Sequence, residues 1–186
     1  MKTVQSKSVC PVESAGGLDM PIRKWLQNPR KILQPYIKNN MSVLDFGCGT
    51  GYFTIEIARL LNGTGKVVTA DLQQGMLDIL KTKIKQNSLK YDIYLHKCEE
   101  NSIGLNEKFD FILAFYMFHE VPNQEVTIKE LKTLLNPNGK ILIIEPKIHV
   151  SKNDFRGLEK FISNNGFKIL GKPDILFSMS LLFSLK

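Results

Sequence analysis

VLDFGCGTGYF, residues 43–53, decides how this chain is read. Short apolar residues lead through Asp45 and Phe46 into glycines at 47, 49 and 51. The run SVLDFGC (42–48) reads as a buried strand. The stretch GYFTIEIARLLN (51–62) sets Phe53, Ile57, Leu60 and Leu61 near a 3.6-residue period and reads as a helix. A glycine loop between a strand and a helix is, by position, a loop for a cofactor. The residues around it must say which one.

The pattern continues outward. KVVTADL (66–72) is the next strand, and QGMLDILKTKIKQN (74–87) is a helix with Met76, Leu77, Leu80 and Ile84 on one side. IYLHKCE (93–99) and FDFILAFYM (109–117) are further strands. EVTIKELKTLL (125–135) is a helix stopped by Asn136-Pro137-Asn138-Gly139, and KILIIEP (140–146) is a fifth strand. Such alternation implies an α/β fold with a doubly wound, mostly parallel sheet covered on both faces. Ligands bind such sheets beyond the carboxyl ends of the strands. The last forty residues add a helix near 152–164 and two strands, GFKILGKPDILF and SMSLLFSLK, expected as an antiparallel hairpin closing a sheet of seven strands.

Composition sets the outer limits. The chain has 186 residues, 43% apolar and 23% charged, which fits one globular domain. No apolar run reaches the ~20 residues of a membrane span, and the N-terminus lacks a signal-peptide core, so cytoplasmic residence is expected. Cys10, Cys48 and Cys98 have no metal-ligand spacing, and no metal site is expected. The net charge of +7 is uneven. Residues 1–40 hold seven Lys/Arg against two acids and residues 147–186 seven against three, while 41–146 hold eleven against thirteen. Basic flanks on a nearly neutral middle suit a solvated face, and also an anionic acceptor or a nucleic-acid contact.

A dinucleotide fingerprint, G-x-G-x-x-G, requires glycine at 52, where this chain has Tyr52. Asp45 lies two residues before the first glycine, at the strand's end, where a carboxylate repels a pyrophosphate and attracts a sulfonium or an ammonium. Asp71 ends the second strand, where a carboxylate can hold both hydroxyls of a ribose. Together the two acids describe S-adenosylmethionine.

Asp45-x-Gly47-x-Gly49-Thr50-Gly51 resembles the first motif, D-x-G-x-G-x-G, of the class I S-adenosylmethionine-dependent methyltransferases. VVTADL, KCEE, FDFILAFYMFHEV and LKTLLNPNGKILIIEP match that family's later landmarks in order, over about residues 41–146. The style is that of the small methyltransferases related to ubiquinone and menaquinone biosynthesis. Two positions depart from the pattern: Lys97 and Cys98 precede Glu99 where Asp and Ala are common, and Asn138 replaces the first glycine of the turn before the fifth strand.

The resemblance implies cofactor-binding roles for Asp45, Gly47, Gly49, Thr50, Gly51 and Asp71. It also places Leu72 and Met76 on the adenine face, Cys98 and Glu99 at its edge, and Phe115 and Tyr116 near the methyl group. Methyl transfer is an in-line displacement, so the protein supplies alignment, removal of water and sometimes a base. His119, in His119-Glu120 just past the fourth strand, is the candidate base. Tyr116 is the candidate donor to the acceptor. His96 and His149 read as strand or surface residues.

The expected acceptor is a small molecule, because the cofactor fold takes nearly the whole chain; the product would be S-adenosylhomocysteine. RNA methylation and cofactor binding without turnover are the alternatives, as is a soft acceptor reached by the cysteines. After the fourth strand Phe115-Tyr116-Met117-Phe118 lacks the Asn/Asp-Pro-Pro-Tyr/Phe pattern of base methylation. A monomer or homodimer is expected. Residues 1–41 are expected to be a helical lid segment before the domain at 42–186. Leu18, Ile22, Trp25 and Leu26 recur there at helical spacing, and a second short helical stretch spans Lys31–Ile37.

Overall fold

The computed structural model describes residues 27–87 and 91–186. Helix α1 (Pro29–Leu33) opens this part, and strand β1 (Ser42–Phe46) leads through the glycine loop to α2 (Thr54–Leu61). Strand β2 (Lys66–Asp71), α3 (Gln74–Gln86), β3 (Ile93–Lys97) and β4 (Phe109–Phe115) follow. A 3₁₀ turn (Phe118–Glu120), α4 (Gln124–Thr133), β5 (Leu135–Pro146), α5 (Lys152–Asn164), β6 (Phe167–Gly171) and β7 (Ser178–Leu185) complete it.

The seven strands form one sheet in the order β3-β2-β1-β4-β5-β7-β6. The first five are parallel, and β7 pairs antiparallel with both β5 and β6. This is the mixed seven-stranded architecture expected from the alternation. Side chains point alternately to the two faces of a strand, so continuous apolar runs serve both faces. Leu44, Ile112, Ile141 and Ile143 share a core with Ile128 and Leu131 of α4 and Phe155 and Ile162 of α5. Val43, Phe111, Leu142 and Ile144 share the other with Leu33 of α1 and Ile57 and Leu61 of α2.

Local chemistry sets the helix ends. Asn28, Asn123 and Ser151 each accept a backbone N–H three residues on, capping α1, α4 and α5. Asn62 closes α2 in the left-handed conformation at φ 52°. α1 stops at Leu33, short of the expected Ile37, and the stretch Ile22–Leu26, like Cys10, lies outside the described residues.

Two boundaries differ in an instructive way. The first strand ends at Phe46, not 48, because Gly47 turns the backbone to φ 70°. Asn136-Pro137-Asn138-Gly139 is not a separate turn before β5. Phe109 pairs with Leu135 and Phe111 with Lys140, so the four residues swell out as a bulge within one continuous strand. A β-carbon at Gly139 would lie 2.8 Å from the Phe109 carbonyl, so the bulge needs glycine there.

Candidate functional site

All five parallel strands end on the same side of the sheet, and the residues just beyond them line one cavity of about 440 Å³. Asp45 to Thr50 leave β1, Asp71 to Gln73 leave β2, and Cys98 to Glu100 follow β3. Phe115 to Met117 follow β4, and Pro146, Ile148 and His149 follow β5. The topology therefore gathers the ends of all five strands into one concave surface.

The glycine loop is built for close approach. Gly47, Gly49 and Gly51 all have positive φ, at 70°, 53° and 82°. A β-carbon on Gly47 would meet Met117 Cγ at 2.4 Å, and one on Gly51 would meet Leu80 Cδ1 at 2.2 Å. Gly47 thus keeps the cavity floor open beside Met117. Gly51 does not line the cavity; its place is to let α2 pack on α3.

Asp45 is 2% exposed, and its Oδ2 accepts the Thr54 hydroxyl at 2.5 Å. Burial pushes its carboxyl up from 3.8 to about 7, opposed by the Thr54 hydrogen bond and reinforced by the charge of Asp71. Asp71 accepts Gly49 N at 2.8 Å on Oδ2 and Gln73 N at 2.9 Å on Oδ1. Burial raises its carboxyl as well, against those backbone hydrogen bonds. A carboxylate has about four lone-pair sites, so Asp71 retains acceptor capacity for hydroxyls while it ties the glycine loop to β2.

The fixed charges of the described lining are acidic. Asp45, Asp71, Glu99, Glu100 and Glu120 line the cavity, and no Lys or Arg among the described residues does. Lys83 donates to the Thr50 carbonyl at 3.1 Å but does not line the cavity.

The part over β4 and β5 is aromatic. Phe53 and Phe115 rings lie 4.2 Å apart, and Phe115 stacks on Tyr116 at 4.2 Å. Tyr116 has φ 57°, a left-handed conformation costly for a bulky side chain. Its N–H donates to the Ile144 carbonyl at 2.8 Å, and its hydroxyl bonds Ser178 Oγ at 2.6 Å and accepts from Gln27 Nε2. Gln27 is held in turn by the Tyr52 hydroxyl, which donates to its carbonyl at 3.2 Å.

Of the residues singled out from the sequence, Leu72, Met76, Cys98, Glu99, Phe115 and Tyr116 line the cavity with the acids and the loop. His119 does not. Its Nε2 lies 3.9 Å from Glu120 Oε1 and its Nδ1 2.5 Å from Glu145 Oε2, and its backbone N–H donates to Glu145 Oε1 at 3.0 Å. His149 is exposed, as expected, and also lines the cavity, with its ring centroid 5.6 Å from that of His119. His96 stays a strand residue, Nε2 2.6 Å from the Ile103 carbonyl. Cys48 and Cys98 are buried; burial pushes both thiols up, Cys98 to about 12, which makes them poor nucleophiles. Gln27, Tyr52, Glu120 and Glu145 have no signal in the sequence that marks them as candidates by residue type. Position alone flags Glu120 and His149, each just past a strand's carboxyl end, whereas only the folded chain shows Gln27 and Glu145.

Known proteins resemble this chain along most of its length. A family model described as a methyltransferase domain matches residues 37–168. The demethylmenaquinone methyltransferase of Lactobacillus johnsonii is 31% identical over 110 residues, 59% of this chain and 45% of that one. That of Staphylococcus saprophyticus is 30% identical over 140 residues, 73% and 59% of the two chains. The chain thus spans about half the length of the curated relatives it matches. The crystal structure of a SAM-dependent methyltransferase from Aquifex aeolicus superposes with a TM-score of 0.86 at 25% identity, covering 96% of this chain and all of that one.

Proposed function

The chain belongs to the methyltransferase-domain family, and on that premise we propose that it methylates a small, uncharged or cationic molecule with S-adenosylmethionine. The observation that carries the proposal is the acidic, aromatic cavity at the strand ends, with carboxylates at both positions a sulfonium nucleoside requires. When bound, the cofactor supplies a methyl group already activated by a positive sulfur. Asp45 would face its aminoacid end, the open floor at Gly47 and Gly49 would admit it closely, and Asp71 would take the ribose hydroxyls. Leu72 and Met76 would cover one adenine face, with Cys98 and Glu99 at its edge.

The chain's own contribution to the reaction is alignment and exclusion of water. Phe53, Phe115 and Tyr116 form an apolar wall over β4 and β5, on the side away from Asp71. A flat neutral acceptor suits that wall. The absence of Lys and Arg from the described lining weighs against a phosphate or carboxylate acceptor and against a nucleic-acid strand entering the cleft. Among the described residues no helix is long and apolar enough to cross a membrane.

Calorimetric titration with S-adenosylhomocysteine tests the cofactor, and absence of binding at millimolar ligand ends the proposal. Turnover with 1,4-dihydroxynaphthalene, a neutral aromatic diol, tests the acceptor class. A salt-sensitive gel shift with tRNA together with RNA methylation would replace it with the nucleic-acid reading.

A further inference from the structure

Thr54 opens α2, where a threonine hydroxyl ordinarily serves the backbone N–H groups of its own helix. It does not do so here. α2 has no side-chain cap hydrogen bond, and the Thr54 hydroxyl turns inward, 2.5 Å from Asp45 Oδ2 and 3.2 Å from the Thr69 hydroxyl. Thr54 and Thr69 are both 0% exposed. The parallel register sets Asp45 beside Thr69 of β2 and Leu113 of β4, so the three side chains form one row on the sheet face that α2 covers. The rest of that layer is apolar, with Val43, Phe53, Ile57 and Val67 around the row. Valine at 54 or 69 would match threonine in shape, so packing alone gives no reason for two hydroxyls. From this geometry we infer that Thr54 is a positioning residue of the cofactor site. Its hydroxyl, oriented from behind by Thr69, holds Asp45 as an ionised carboxylate at the cavity and so sets the lowest pH at which the cofactor is taken up.

The inference rests on the S-adenosylmethionine reading above and follows from the hydrogens present. An ionised carboxylate only accepts, so the single Thr54 hydroxyl hydrogen is committed to Asp45, and the Thr54 oxygen accepts from Thr69. Hydroxyls aligned in this way polarise one another and strengthen the final donor. A protonated Asp45 has no such need, because the neutral carboxyl can itself donate to Thr54. The array therefore favours the charged form, which is the form that the cationic aminoacid end of the cofactor requires. The other groups around Asp45 do not favour it. Asp71 at the end of β2 repels a second negative charge, burial keeps the Cys48 thiol neutral, and β4 presents the apolar Leu113. Burial raises the Asp45 carboxyl to about 7, and the hydroxyl and backbone N–H of Thr54 both act against that rise.

Thr54→Val removes the hydroxyl and keeps the branched shape and the backbone N–H. Calorimetric titration of the full chain with S-adenosylhomocysteine between pH 6 and pH 8.5 reads the effect. This ligand keeps the ammonium of the cofactor without the sulfonium charge, so the titration reports on the aminoacid end alone. The parent affinity should fall as pH drops through about 7. In Thr54→Val that midpoint should rise by about one pH unit, making binding about tenfold weaker than the parent at pH 6 and less than about twofold weaker at pH 8.5. Thr54→Ser should restore the parent profile, and Thr69→Val should move the midpoint the same way by a smaller amount. A hydroxyl that only packs would leave the midpoint in place. In an Asp45→Asn background, Thr54→Val should leave the pH profile unchanged, which separates Asp45 from Asp71 as the titrating group. If Thr54→Val does not fold, Thr69→Val takes its place in the test. An unmoved midpoint in the valine variant, a Thr54→Ser profile that follows valine, or a shift that persists without the Asp45 carboxylate overturns the inference. If the parent binds S-adenosylhomocysteine with no pH dependence, the inference fails and the cofactor reading stands. If it binds none at any pH, the cofactor reading fails and the inference with it.

Discussion

Replacing Asp45 by asparagine should make the unliganded protein more stable and the site worse. The carboxyl is 2% exposed and raised from 3.8 to about 7, chiefly by burial, so the folded chain holds it against its charge. That rise corresponds to roughly 4 kcal/mol against the ionised form, with the opposing Thr54 hydrogen bond already included. A folded value above the unfolded one means that the folded state binds the extra proton between pH ~4 and ~7. Its stabilising effect is complete at the acid end and is lost as pH rises through about 7. The amide of the variant is neutral at every pH and can still accept from Thr54. In urea unfolding without ligand, Asp45→Asn should therefore exceed the parent by about 2–4 kcal/mol at pH 8, and the gap should close near pH 4. Binding should move the other way. A sulfonium cofactor prefers the ionised carboxylate, so parent affinity for S-adenosylmethionine should drop about tenfold from pH 8 to pH 6. The variant should lose that slope and bind 10- to 100-fold more weakly at pH 8, having lost a charge-assisted contact of roughly 1.5–3 kcal/mol. Calorimetry in buffers of different ionisation enthalpy counts the proton released. A less stable variant at pH 8, or a flat pH profile for the parent, would refute the reasoning.

Asp71→Asn places an amide NH₂ against one of two backbone donors, Gly49 N or Gln73 N, so cofactor affinity should fall more than tenfold and the melting temperature should drop; an unchanged affinity for S-adenosylhomocysteine would remove Asp71 from the ribose. Gly47→Ala meets Met117 at 2.4 Å with φ at 70°, and should cost roughly 1–2 kcal/mol of stability and most cofactor binding; denaturant titration and calorimetry would show both. Tyr116→Phe removes the hydroxyl shared by Gln27 and Ser178, which should cost about 1 kcal/mol of stability. If Tyr116 gives up Ser178 to donate to the acceptor instead, KM for the acceptor should rise as well. Deleting residues 1–16 should leave cofactor binding intact and lower turnover, and equal turnover would argue against a lid.

Most of the fold is legible in the sequence because parallel strands buried on both faces announce themselves as unbroken apolar runs, of which FDFILAF and ILIIEP are examples. The cofactor half of the site is equally open to reading, since it is carried by one loop and by residues at strand ends, whose positions follow from the alternation. What stays hidden depends on contacts across long separations. Gln27 and Tyr116 are 89 residues apart, and His119 and Glu145 are 26 apart. His119 stands out because histidine is chemically conspicuous, but its neighbour Glu120 faces the cavity. Within the irregular turn after β4 neither a 3.6 nor a 2.0 period decides which way a side chain points. The bulge at Asn136–Gly139 escapes a sequence reading for a related reason: Pro and Gly mark a departure from the ladder, and a strand can resume beyond it without a change of direction.

The position of β7 has a consequence for how the chain is made. β6 is synthesised before β7, yet β7 lies between it and β5. While the nascent chain lengthens, the outer edge of β5 and the whole of β6 have no strand to pair with, and Ile169 and Leu170 lie in that unpaired stretch. Such open edges invite pairing with other chains. The interval ends only when residues 178–185 emerge from the ribosome and pair Pro146 with Ser178 and Lys140 with Ser184. A version cut before Ser178 would keep every cofactor residue and still carry that open seam permanently. It should collect in inclusion bodies or bound to chaperones, for want of a partner strand and not of a core.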